Sequence, residues 1–303
     1  MVAKPFSVDL SALPSREFSP LLDASFKLAF ASWKPVFWLG FWFNLVMQLP
    51  FVWWWWNTRG LFAADGWRAW LDPDVFEWDA GLTWSSVVAL VASVACMNAI
   101  LVHMGALMRR GDIDSSGSIA KAIRTLPGGL ALVLLYLGLL VACLLPVIVA
   151  WFVVPVGDDP DWQLPRLLAV LVALILVAVP LTWMSIAAAF ALPAFLLDDE
   201  PVLAAQRRSF ARVRGNWTRS AALVTVPMLA WMGLVSVVGS APLGLAASAV
   251  LALDGWGALV RPGWLVLGQL LSTPVLALLT PLCFAGWLVC YEDLRLRQRV
   301  AEG

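Results

Sequence analysis

The sequence predicts an all-α fold: a polytopic transmembrane bundle of six helices with cytoplasmic interfacial amphipathic helices, arranged as a threefold helix-hairpin repeat. Three observations lead there. Of 303 residues, 61% are hydrophobic and 13% are charged, about half the charged share of a water-soluble domain. The mean hydropathy is +0.84. The forty Lys, Arg, Asp and Glu residues leave six long stretches without formal charge, and the segments between them alternate between rich and poor in Lys and Arg.

The charge-free stretches are residues 35–57, 80–108, 126–157, 167–197, 220–253 and 262–291. Each exceeds the about 20 residues that a helix needs to cross about 30 Å of hydrocarbon. Barrel strands are excluded, because they are about ten residues long and alternate polar with apolar, whereas these stretches are apolar on every face. The first ends in Trp53, Trp54, Trp55 and Trp56, and indole rings prefer the headgroup level. That run marks the outer interface. Pro180, Pro227, Pro242, Pro274 and Pro281 interrupt later stretches, either as tolerated kinks or as breaks of the kind that build sites at mid-membrane.

Orientation follows from the connections, since Lys and Arg resist translocation. Residues 1–34, the second and fourth loops and the carboxyl tail hold sixteen of the twenty basic residues, against eleven acidic ones. The remaining loops hold four basic and nine acidic residues. Both termini are therefore expected in the cytoplasm, with a cytoplasmic segment over 1–34, a membrane domain over 35–291 and a cytoplasmic tail over 292–303. Residues 1–20 contain Asp9, Arg16 and Glu17 and no apolar run, so no cleavable signal is expected.

The three cytoplasmic segments preceding odd-numbered spans each read as a short amphipathic helix. At about 100° per residue, Val202, Leu203, Phe210, Val213 and Trp217 share one arc, and Arg207, Arg208, Arg212 and Arg214 fall outside it. In the second loop Ile119, Ala122, Ile123 and Leu126 share a face opposite Lys121 and Arg124. Before the first span, Asp23, Lys27 and Lys34 form a stripe apart from Leu22, Phe26, Phe30 and Trp33. An interfacial helix followed by a transmembrane hairpin, three times over, accounts for the order of elements. Arg207, Arg208, Arg212 and Arg214, with Lys121 and Arg124 as a second set, are the candidate cations for lipid headgroups.

Residues 197–217, LDDEPVLAAQRRSFARVRGNW, and 290–297, CYEDLRLR, resemble a group of bacterial six-span proteins. That group includes the membrane domain found ahead of some glycerophosphoryl diester phosphodiesterases, and stand-alone relatives of unknown function. The resemblance implies a six-span fold in a bacterial inner membrane. Its sharp motifs cover those two stretches alone. The chain departs from the fused members where catalysis is concerned, with a single histidine and twelve residues after Tyr291, whereas the hydrolase uses several His and acidic metal ligands. The phosphodiesterase activity is not carried over.

Other chemistry has little to stand on. Asn44, Gln48, Asn98, His103 and Gln269 are polar residues within or at the spans; they could line a transporter's cavity, but such side chains more often bond between helices. His103 has no acidic partner within a span, and a metal site needs more than one ligand. Cys96, Cys143, Cys283 and Cys290 form no C-x-x-C pair. There is no phosphate loop, dinucleotide fingerprint or nucleophile elbow. The expectation is a non-enzymatic protein without cofactor or metal, with membrane lipids and a membrane or cytoplasmic protein as partners and no nucleic acid. A lipid-handling permease is the alternative.

Overall fold

The computed structural model describes residues 19–50, 52–53, 80–110, 115–153, 163–239, 241–242, 245 and 260–302. No strand occurs among them. In chain order the helices are α1 (Ser19–Met47), α2 (Ala80–Arg110), α3 (Ser115–Arg124), α4 (Leu126–Val153) and α5 (Gln163–Ala189). They continue with α6 (Ala191–Leu197), α7 (Val202–Arg214), α8 (Trp217–Leu234) with a π turn over Val235–Gly239, and α9 (Val260–Glu302).

Among the described residues, five helical segments are long and apolar enough to cross a membrane: Gly81–Arg109, Leu126–Val149, Leu168–Leu197, Trp217–Val238 and Val266–Arg299. This is the make-up of a multi-pass membrane protein, and the five fall on the second to sixth charge-free stretches. The first stretch lies on α1 as far as Met47 and then runs past the described residues. Lys34, Asn44 and the tryptophans dilute the apolar run of α1, which keeps it out of the five. Trp54, Trp55 and Trp56 lie outside the described residues.

Two of the apolar helices are inner and two are outer. Within the most apolar windows, 56% of residues are buried in α2 and in α9, against 6% in α4 and in α8. Leu176 is 70% exposed and Val179 74%. In water such surfaces would drive aggregation; against lipid tails they are the solvent contact, because lipid is as apolar as leucine. The core instead joins α1, α2, α6 and α9 through Leu21, Leu28, Met104, Leu196, Leu288 and Tyr291.

α1 packs most extensively on α9, and small residues permit the approach. Its buried stripe includes Ala24, Ser25, Ala29, Ser32, Gly40 and Asn44. A Cβ built on Gly40 would lie 3.1 Å from Thr280 and 3.3 Å from the carbonyl oxygen of Ala277. Beside it Asn44 donates to the Gly40 carbonyl at 2.7 Å and to Thr280 Oγ1 at 3.0 Å. Close backbone contact and a satisfied amide replace hydrophobic burial as the adhesive here.

Two sequence boundaries fall inside continuous helices. The expected break between residues 34 and 35 lies within α1, where Pro35 is accommodated, and the break between 291 and 292 lies within α9. Residues 19–34 therefore do not form a separate headgroup helix. Leu21 and Leu28 are buried in the bundle, while Phe26, Phe30 and Trp33 are exposed. A helix already running gains by extending its packed face rather than ending at the first charge.

Candidate functional site

The charged residues bordering the apolar helices converge at one end of the bundle. α5 stops at Phe190, α6 follows for two turns, and the chain then reverses through Asp198, Asp199 and Glu200 into α7. Asp199 has φ of 51°, a left-handed conformation that Asp tolerates better than bulkier residues do. The reversal turns neighbouring carboxylates in different directions. Asp198 goes inward to Arg109, Arg212 and Arg295, whereas Asp199 goes outward to Lys121 of α3.

Asp198 is the hub. Arg109 Nη1 is 3.0 Å from its Oδ1 and Arg295 Nε is 3.4 Å from the same oxygen. Tyr291 donates its hydroxyl to Oδ2. The Tyr291 ring packs on Phe190 with centroids 6.3 Å apart, and the Arg212 guanidinium lies 5.0 Å from the centre of the same ring. Arg109 reaches further, to Glu292 at 2.8 Å and to the Leu197 carbonyl at 2.8 Å. Burial alone would raise the Asp198 pKa, but the Tyr291 hydrogen bond and the Arg109 and Arg295 charges outweigh it. The carboxyl is held below its usual range.

A second cluster lies beside the first. Asp293, whose side chain is 2% exposed, accepts from Arg219 Nε at 3.2 Å and from Arg297 Nε at 3.0 Å. It joins the start of α8 to the end of α9. Carboxylates this buried need opposite charge to remain ionised.

The candidate headgroup cations separate into groups. Arg207 and Arg214 of α7 and Arg124 of α3 are exposed. Arg208 pairs with Glu200, and Lys121 with Asp199 at 2.8 Å. Arg212 is 7% exposed and faces inward, bonding Gln298 at 3.0 Å. The helical arc computed from sequence treats all four arginines of α7 alike. The structure divides them, because α5 and α9 cover the side of α7 that carries Ser209, Arg212 and Val213.

The candidate cavity residues are distributed over separate helix contacts. Asn44 joins α1 to α9 as above. Gln48 is buried, and its amide atoms have no hydrogen-bond partner among the described residues. Asn98 faces Gly129 of α4, where an added Cβ would lie 2.7 Å from its Nδ2. His103 Nδ1 is 3.4 Å from Ser118 Oγ of α3. The side chain of Gln269 lies outside the described residues.

A different cavity does open. It has a volume of about 520 Å³ and lies between the 197–200 reversal, α7 and the last turns of α9, with Asp198, Glu200, Arg208, Arg212, Gln298 and Arg299 in its wall. Among the described residues no group of three or more His, Cys, Asp and Glu is placed to hold a metal ion. Sequence reasoning passed over Arg109, Asp198, Glu200, Tyr291, Glu292 and Arg295. The available signal was the acidic triplet 198–200 and the alternating charges of 292–297, each at the end of an apolar run. These are the two stretches that carry the family resemblance. Comparison with known protein families, curated proteins and solved structures found no match.

Proposed function

We propose that this chain is a non-enzymatic integral protein of the bacterial inner membrane, with six spans and both termini in the cytoplasm. Its cytoplasmic amphipathic helices bind anionic phospholipid headgroups or a membrane partner. One observation carries the reading. Leu203, Arg207 and Arg214 are all exposed on α7, and at about 100° per residue they fall within about 40° of one another. An apolar side chain flanked by cations suits the headgroup level, where the first enters the acyl boundary and the second meet phosphates. α3 also exposes an apolar face, with Ile119 42% and Ile123 62% exposed, and its exposed Arg124 lies about 100° round the helix from Ile123.

Further support comes from the ends of the helices. The segments with excess Lys and Arg, which the positive-inside rule assigns to the cytoplasm, are the ones that meet in the ion network. α3 before the α4 and α5 pair, and α7 before α8 and α9, supply two units of the proposed threefold repeat; α1 supplies the third with its leading helix fused to its span. The six-span family resemblance agrees with this reading. A permease with a polar site shared by Asn44, Gln48, Asn98, His103 and Gln269 has less support, since Asn44, Asn98 and His103 serve three different helix contacts.

The test is co-purification of phosphatidylglycerol with the detergent-solubilised chain and with an Arg124→Gln, Arg207→Gln, Arg214→Gln triple variant. Recovery of the lipid with the variant should fall several-fold at low salt, and the difference should fade toward 1 M salt, where the Debye length is about 3 Å. Equal recovery at low salt would refute the headgroup role. Cysteine labelling at the exposed Ser116 from the cytoplasmic side tests the orientation independently.

A further inference from the structure

We propose that the cavity between the 197–200 reversal, α7 and the end of α9 is a built site for one phosphate-class oxyanion, held by Arg208, Arg212 and Arg299 with Gln298. The proposal takes from the preceding section only that the chain resides in a membrane; it does not require the exposed cations of α3 and α7 to bind lipid.

Charge is the first argument. Five arginines line the cavity, Arg109, Arg208, Arg212, Arg295 and Arg299. Three carboxylates face them, Asp198, Asp199 and Glu200. The nearest partners outside the wall, Lys121 and Glu292, add one charge of each sign, so an excess of two positive charges remains. A phosphate monoester carries a charge of about −1.5 to −2 near neutral pH. An ion knot evolved only to fasten helices has no need of that surplus.

The second argument is an unsatisfied donor. The Arg212 side chain is 4% exposed, yet its Nη1 has no hydrogen-bond partner among the described residues. Its other nitrogens are engaged, Nε with Gln298 at 3.0 Å and Nη2 with Asp198 at 3.5 Å. The guanidinium also lies 5.0 Å from the centre of the Tyr291 ring, a cation–π contact that helps hold it in place. Buried donors are nearly always paired, and a planar, pre-oriented guanidinium is the side chain best matched to phosphate oxygens. Glu200 contributes a complementary feature, since its Oε2 is buried and likewise lacks a partner. It can accept from a hydroxyl of a phosphate ester or of a protonated phosphate.

Size and access form the third. About 520 Å³ lies within the range of small-molecule sites, more than the phosphate group alone needs. Arg208 and Arg299 are exposed at the mouth, and no carboxylate among the described residues pairs with Arg299. An anion entering from water or from the headgroup layer meets these two first and Arg212 at the base. The source of the phosphate is either a lipid headgroup or a free phosphate or phosphate ester.

The experiment uses the full chain in a neutral detergent with chloride buffer. Inorganic phosphate is titrated by calorimetry, and in parallel native mass spectrometry counts phosphatidic acid molecules retained per chain. Saturable binding of one phosphate per chain supports a soluble source. Retention of one phosphatidic acid without phosphate binding supports a headgroup source. In either case Arg208→Gln and Arg299→Gln should each weaken binding about tenfold; the melting temperature of Arg299→Gln should stay within a few degrees of the parent's, whereas Arg208→Gln also takes the ion-pair partner from buried Glu200. Arg299→Gln removes no ion pair among the described residues, so it tests the site without testing the fold. The Arg124, Arg207, Arg214 triple variant should keep the one-to-one stoichiometry while co-purifying with less phosphatidylglycerol, which separates this site from the surface reading. No saturable binding of either probe, or affinity unchanged in both single variants, overturns the proposal.

Discussion

Arg109 at the end of α2 and Glu292 in the last third of α9 are 183 residues apart in sequence and 2.8 Å apart in space. Two nitrogens of one guanidinium bond a single carboxylate oxygen, and its third reaches the Leu197 carbonyl. One side chain thus ties α2, the α6 terminus and α9. The two side chains are 19% and 8% exposed, so neither charge is freely hydrated when the other is removed.

Glu292→Gln is accordingly expected to destabilise the bundle by about 3 kcal/mol, the low end for breaking a buried pair because the Asp198 carboxylate still lies beside both Arg109 and Arg295. Denaturant titration in mixed micelles measures it. A loss under about 1 kcal/mol would mean that this contact does not hold the helices.

Lys121 and Asp199 form the contrasting case. Their side chains are 35% and 74% exposed at 2.8 Å, and exposed ion pairs contribute about 0–1 kcal/mol. Lys121→Met should change stability by less than about 0.5 kcal/mol in the same titration.

Acid sensitivity should report Asp198. Its folded-state pKa lies below the usual 3.8, so the unfolded chain takes up a proton first as pH falls. The stabilisation is complete above the usual value and is lost as pH drops through the lower folded value. Melting temperature should be flat in this contribution from neutrality to about pH 5 and should decline below about pH 4. Asp198→Asn should lower the neutral melting temperature and remove that part of the decline. An Asn variant with the parent's pH profile would contradict the hub role.

At the α1 and α9 contact, Gly40→Leu should be the most damaging single change, since even a Cβ meets Thr280 at 3.1 Å and a backbone carbonyl at 3.3 Å. Overpacking of this kind costs about 1–3 kcal/mol. The neighbouring Asn44 and Thr280 bond is weaker: a double-variant cycle of Asn44→Leu with Thr280→Val should give a coupling of about 0.6 kcal/mol. Coupling indistinguishable from zero would remove that hydrogen bond from the account.

How far the sequence could be read depended on the range of the interaction. The five apolar helices α2, α4, α5, α8 and α9 were legible because transfer into hydrocarbon sums over neighbouring residues and needs no knowledge of distant ones. Amphipathic α3 and α7 were legible from helical period. The direction of Arg212 was not. Period places it among the charged residues of α7, but only the cover provided by α5 and α9 makes its side of the helix an interior one.

Sequence alone determined that this chain is helical, which segments are apolar enough for a membrane, and where its charges gather along the chain. Tertiary structure decided which of those charges are solvent cations and which are buried partners: Arg207 stays outside, while Arg109, Arg212, Asp198 and Glu292 meet across four segments. The reason is physical. Hydropathy is additive along the chain, whereas an ion pair falls off with distance and depends on local burial, and neither quantity exists until the helices have packed.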